Sequence, residues 1–82
     1  MENEDLFRES LKELGLTQSN EDENEYFAFI LDYGLYAYIK EDHVLLQINE
    51  GCIDEMFSMK VRNFGNIMPA IKSAVSFVLH HL

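Results

Sequence analysis

Apolar residues near the start of the chain recur every three or four positions, at Leu6, Phe7, Leu11 and Leu14, which is the spacing of one helical face. Asn3 suits the cap, Glu4 and Asp5 favour the first turn, and Gly15 suits the left-handed position that ends a helix. An amphipathic helix is expected here. Thr17 to Glu25, TQSNEDENE, is polar, acidic and without period, and reads as a solvated loop.

From Tyr26 the period becomes two. Phe27, Phe29 and Leu31 alternate with Tyr26, Ala28 and Ile30, and after Asp32-Tyr33-Gly34 the residues Leu35, Ala37 and Ile39 alternate with Tyr36, Tyr38 and Lys40. Two strands joined by a short turn follow, with Gly34 suited to a left-handed turn position. Glu41-Asp42-His43 breaks the chain before a third strand, in which Val44, Leu46 and Ile48 alternate with Leu45, Gln47 and Asn49. Beyond Glu50-Gly51, the run Cys52 to Glu55 fits no single period, whereas Phe57, Met59 and Val61 against Ser58, Lys60 and Arg62 predict a fourth strand. Asn63-Phe64-Gly65-Asn66 then breaks the chain, Asn66 can cap, Pro69 is tolerated in a first helical turn, and Ile67, Ile71, Ala74, Val78 and Leu82 share one face. This predicts a closing helix.

The order is therefore helix, four strands, helix. Short connections favour an α+β fold in which a four-stranded antiparallel meander has both helices on one sheet face, in two layers. The expected inward set is Phe27, Phe29, Leu31, Leu35, Ala37, Ile39, Val44, Leu46, Ile48, Phe57, Met59 and Val61. At about 1.5 to 3 kcal/mol per buried large side chain, this set would dominate folding. The other sheet face would then carry Tyr26, Ala28, Ile30, Tyr36, Tyr38 and Leu45, with Asp32, Lys40, Gln47, Lys60 and Arg62 as its polar residues. Tyrosine brings large contact area and a polar handle at low rotamer entropy, so Tyr26, Ile30, Tyr36, Tyr38 and Leu45 are the candidate partner-binding residues. The competing reading is plain strand propensity.

Composition adds scale and charge. The chain has 82 residues, 48% hydrophobic and 12% aromatic, too apolar for a disordered acidic tail and short enough that residues 1–82 form one domain. A domain of this size is marginally stable alone, so a homodimer or a bound partner is expected. All 15 acids lie between Glu2 and Glu55, with Arg8, Lys12 and Lys40 as the basic residues there; from Met56 to Leu82 there is no acid, and Lys60, Arg62 and Lys72 leave that part positive. Direct nucleic-acid binding by the acidic part is disfavoured. Glu21, Asp22, Glu23 and Glu25 precede the first strand and should lie at the same end of the sheet as Glu41 and Asp42, forming an acidic surface; Asp54 and Glu55 should lie at or beyond the opposite end. The start MENEDLF is unlike a secretory leader, and no apolar run is long enough to cross a membrane. A cytoplasmic protein is expected.

Candidate chemistry is sparse. One cysteine excludes an internal disulfide framework. Cys52 with His43 lacks an orienting third group, and His80-His81 diverge by about 100° on a helix instead of forming the i, i+4 pair of a metal helix. The acidic run lacks the alternating ligands, central Gly and closing Glu of a calcium loop. Glu41-Asp42 and Asp54-Glu55 have no predicted cleft to raise a carboxyl pKa, and there is no glycine-rich phosphate loop. No catalytic residue, metal or cofactor is expected.

SLKELGL from Ser10 to Leu16, the acidic gap, and FAFILDYGLYAYIKEDHVLLQI from Phe27 to Ile48 together resemble the opening of type III secretion class I chaperones. The resemblance covers roughly the first half of the chain. It implies a small acidic cytoplasmic protein, usually homodimeric, with exposed apolar patches that hold an unfolded effector segment. Between Ile48 and Phe57 there is no room for the internal helix on which that family builds its dimer. The expected function is a non-enzymatic, protein-binding module that captures a partner through its tyrosine-rich sheet face or a strand edge. The alternative is an acidic inhibitor, of the immunity, antitoxin or phage anti-defence kind, blocking the basic nucleic-acid groove of a target protein.

Overall fold

The computed structural model describes residues 4–50 and 54–80. Helix α1 (Glu4–Glu13) is followed by β1 (Thr17–Gln18), β2 (Glu25–Ile30), β3 (Tyr33–Ile39), β4 (Val44–Glu50) and β5 (Asp54–Val61), then a 3-10 turn (Phe64–Asn66) and α2 (Ile67–His80). The strands form one antiparallel sheet in chain order. The α+β class and the meander are as expected, but the strands among the described residues number five. The additional strand is the two-residue β1, inside the stretch read as a loop. Thr17 pairs with Phe27 and Gln18 with Tyr26, so backbone pairing, not side-chain pattern, creates it.

Helix α1 ends as its glycine suggests. Gly15 has φ 95°; its N–H donates to Lys12 O at 3.0 Å, and Leu16 N–H donates to Leu11 O at 3.0 Å. These two bonds make a Schellman cap, and its usual apolar contact is available between buried Leu11 and Leu16. Phe7 and Leu11 point into the core while Leu6 is exposed. The expected Asn3 cap lies outside the described residues, as do Gly51, Cys52, His81 and Leu82. Asn66 is not a side-chain cap of the kind expected: it closes the 3-10 turn through its backbone, donating to Asn63 O at 2.9 Å.

The sheet's inner face buries Leu35, Ala37, Ile39, Val44, Leu46, Ile48 and Val61 against Phe7 and Leu11 of α1 and Ile67, Ala70, Ile71, Ala74 and Val78 of α2. Both helices therefore cover the same face. Phe57 and Met59 pack at the edge of this core. Strand β2 departs from the expectation. Tyr26 is fully buried, Ala28 and Ile30 pack on the core, and Phe29 and Leu31 are exposed.

The reversal follows from turn length. Ile30 pairs with Tyr33, Ala28 with Leu35 and Tyr26 with Ala37, so the connection is the two-residue turn Leu31-Asp32, and Leu31 itself holds the left-handed conformation at φ 56°. A three-residue turn would have put Leu31 opposite Leu35 and kept Phe27 and Phe29 inward. One residue fewer moves every β2 side chain to the other face. Gly34, expected in the turn, lies within β3, where a Cβ would come within 2.6 Å of the Tyr36 ring. In β5 the register shifts between Ile48 and Asn49: Ile48 pairs with Phe57 and Asn49 with Glu55. Met56 is the extra residue of this bulge.

Candidate partner-binding sheet face

Cross-strand register places the outward residues in rows. Thr17, Phe27, Tyr36, Gln47 and Ser58 form one; Glu25, Tyr38, Leu45 and Lys60 form a second; Phe29, Gly34, Asn49 and Glu55 form a third. Directly paired residues in an antiparallel sheet project to the same side, so Phe27, Phe29, Tyr36, Tyr38 and Leu45 make one patch over β2 to β4. Toward β5 the surface turns polar.

The rings of this patch are in contact. Phe27 and Phe29 meet edge to face with centroids 5.9 Å apart, and Tyr36 and Tyr38 stack at 6.2 Å with planes 10° apart. Tyr36 lies above Gly34, which has no side chain to displace it. Lys40 Nζ sits 5.5 Å from the Tyr38 ring centroid. Burial, followed by the Glu25 carboxylate, pushes the Tyr38 hydroxyl pKa up. Phe29 is 68% and Leu31 70% exposed, so the patch reaches solvent most fully at the tip of the β2–β3 hairpin. No helix among the described residues covers this face.

Of the residues expected to bind a partner, Tyr36, Tyr38 and Leu45 lie on the outer face and Tyr26 and Ile30 do not. Tyr26 is a core residue whose hydroxyl lies 3.4 Å from Arg8 Nη1; Ile30 also packs against the core on the inner side. Phe27 and Phe29, expected to point inward, instead take the outer-face places expected of Tyr26 and Ile30. Periodicity alone could not assign these residues, because both alternating sets of β2 are apolar. The signal that separates them is the turn, whose Leu31-Asp32 lacks glycine.

The acidic segment is more ordered than its composition suggests. Arg8 donates through Nη1 to Glu23 O at 2.7 Å and through Nη2 to Asn24 Oδ1 at 2.5 Å. Gln18 Nε2 also donates to Glu23 O, at 2.8 Å. Asn24 N–H donates to Asp22 Oδ1 at 2.8 Å, and Ile39 N–H donates to Asn24 O at 2.7 Å. This last bond joins the loop to the end of β3, so Glu21, Asp22, Glu23 and Glu25 share a sheet end with Glu41 and Asp42. Glu50 pairs with Asp54 and with Tyr33, placing the backbone of Asp54 and Glu55 at the opposite end.

The first acidic zone also contains hydrogen-bond donors. Arg8 is 3.5 Å from Glu4. His43 Nδ1 donates to Asp42 Oδ1 at 2.6 Å, and this bond, with a smaller contribution from Arg62, holds the Asp42 carboxyl below the usual range. Among the described residues no three His, Cys, Asp or Glu side chains converge as metal ligands would. The His43–Cys52 pairing lies partly outside the described residues. No described helix is long and apolar enough to cross a membrane.

Compared with protein-family models, curated proteins and solved structures, the chain finds no match. Its functional reading therefore rests on the geometry of its own faces.

Proposed function

We propose that the chain is a non-enzymatic protein-binding module whose outer sheet face holds an apolar segment of a partner protein, with secretion-chaperone-like capture as the most concrete form. The observation that carries this reading is the uncovered, contiguous patch of Phe27, Phe29, Tyr36, Tyr38 and Leu45. Two stacked tyrosines and two phenylalanines in contact give a preordered apolar surface, so little side-chain entropy is lost on binding. Glu25 and Lys40 at one end supply polar groups that orient a partner. The chemistry suits an apolar or aromatic segment better than a small molecule, because the face is open rather than enclosed.

The test begins with affinity purification from the native host and mass spectrometry, then titration of the purified partner against the wild-type chain and the Phe29→Ala/Tyr36→Ala variant. With the variant folded by circular dichroism, affinity should fall by about 2 kcal/mol or more, as for a hot-spot pair. A change below about 0.5 kcal/mol would remove the face from the binding surface.

A second reading is favoured by the hydrogen bond between Ile39 N and Asn24 O, which brings the acids of two loops to one end of the sheet. There Glu21, Asp22, Glu23, Glu41 and Asp42 would stand in for phosphates against a basic target. Their replacement by neutral amides should slow association and flatten its salt dependence. Association rates unchanged from low to high salt would reduce these acids to solubilising residues.

A further inference from the structure

A groove runs beside the edge strand β5, on the inner side of the sheet where α2 packs. The Phe57 and Phe77 rings meet there with centroids 5.1 Å apart, and with Lys72, Ser73, Ser76 and His80 they line a shallow hollow open to solvent. Ser73 also lines a neighbouring cavity of about 300 Å³ with Met59, Lys60 and Arg62. The two hollows therefore meet at Ser73, side by side along the strand.

Three features of this groove agree on one kind of occupant. Strand β5 pairs with β4 on one side only, so alternate N–H and C=O groups along its other side are not used by the sheet. The wall is apolar where Phe57 and Phe77 meet, with Lys72 beside them, and Lys60 flanks the same strand from its outer face. No acid occurs from Met56 to Leu82, and neither Lys60 nor Lys72 has a salt-bridge partner among the described residues. His80 Nδ1 donates to Ser76 O at 2.7 Å, which leaves Nε2 for another partner. In a chain whose formal charge is -9, Lys60, Arg62 and Lys72 bring positive charge to an open strand edge.

We infer that the β5–α2 groove takes an extended acidic segment of a partner protein as an added sixth strand. The segment's backbone bonds to the free side of β5, its apolar side chains enter the groove over Phe57 and Phe77, and the alternate carboxylates project to the outer side of the strand, where Lys60 lies, with Lys72 adding positive charge at the groove wall. A symmetric second copy is a poorer occupant, since antiparallel pairing of two β5 strands would set two positive grooves side by side. This site is separate from the aromatic patch. The patch lies on the opposite face of the sheet and is centred on β2 and β3.

The test uses the full chain and fluorescently labelled eight-residue peptides in which Val, Leu, Phe or Tyr alternates with Asp or Glu, read by anisotropy. The tightest peptide is then N-methylated at alternate residues, in each of the two phases. Strand addition requires that one phase abolish binding and the other tolerate it, because only alternate N–H groups face β5. Lys60→Glu/Lys72→Glu should weaken binding about ten-fold or more, while Phe29→Ala should leave it unchanged. The proposal is overturned if no peptide binds at about 1 mM, if the two N-methylated phases behave alike, or if the charge reversal has no effect. It is also overturned if Phe29→Ala abolishes binding, which would assign the peptide to the aromatic face. Peptide binding that competes with self-association in sedimentation would give the groove to a second copy and overturn it equally.

Discussion

The two faces of the sheet are both rich in large apolar side chains, yet they differ in what those side chains accomplish. The inner face buries Leu35, Ile39, Val44, Leu46 and Ile48 beneath two helices, and its burial drives folding. The outer face holds Phe27 against Phe29 and Tyr36 against Tyr38 as two ring pairs, with Phe29 largely in solvent. Composition cannot separate the two, since adjacent residues of β2 serve opposite faces. Coverage does: one face buries its apolar surface beneath two helices, and on the other no helix among the described residues covers it.

The comparison breaks most readily at neighbouring positions in β2. Tyr26→Ala should cost about 3 to 5 kcal/mol of stability, because it empties a fully buried site. Phe29→Ala should cost less than about 1 kcal/mol. Urea unfolding of the two variants measures both, and a larger loss at Phe29 would mean that β2 faces the other way.

Gly34→Ala probes the patch from beneath. The new methyl group would meet Tyr36 Cε2 at 2.6 Å, so the ring must swing away from Tyr38. A loss of about 1 kcal/mol is expected, and it should shrink when Tyr36 is already Ala. Equal losses in both backgrounds would show that the ring does not rest on Gly34.

Leu31 sharpens the comparison further, since a leucine at φ 56° sits where glycine is favoured. Leu31→Gly should leave stability within about 1 kcal/mol of wild type or raise it, relief of strain opposing the greater freedom of the unfolded chain. It should still weaken partner binding. A substantial destabilisation would instead make Leu31 a structural residue.

The smallest effect concerns Tyr38. Burial disfavours its phenolate, so its folded pKa lies above the unfolded value. The folded state then holds the proton more tightly, and the contribution to stability is present below the unfolded pKa and lost as pH rises through the folded one. A carbon-13 NMR titration of the tyrosine rings should show Tyr38 titrating above the usual range, and Glu25→Gln should bring it down. An ordinary midpoint for Tyr38 would contradict its partial burial beside Glu25.

Those contrasts also mark what the sequence could and could not convey. The helices and the strands from Tyr26 onward were legible because their apolar periods are clean, as at Val44, Leu46 and Ile48 or Ile67, Ile71, Ala74 and Val78. Strand β1 was not, since Thr17 and Gln18 enter the sheet through backbone pairing and carry no apolar pattern. The phase of β2 was hidden by its uniformly apolar composition, and the turn that sets it places leucine where glycine would have announced the geometry. The candidate face was therefore legible as a surface, with Tyr36, Tyr38 and Leu45 correctly placed on it. Two of its five residues had to be exchanged, Tyr26 and Ile30 for Phe27 and Phe29. Arg8, which fastens the acidic loop, gave no sign beyond being one basic residue on an acidic helix.

The most direct measurement places a photo-crosslinking phenylalanine analogue at Phe29 and, in a separate chain, at exposed Glu9 on α1, with irradiation in the native host. A discrete adduct to one partner is expected from position 29 and none from position 9. An adduct from position 9 alone, or no adduct from position 29, would contradict the assignment of the outer sheet face to partner binding.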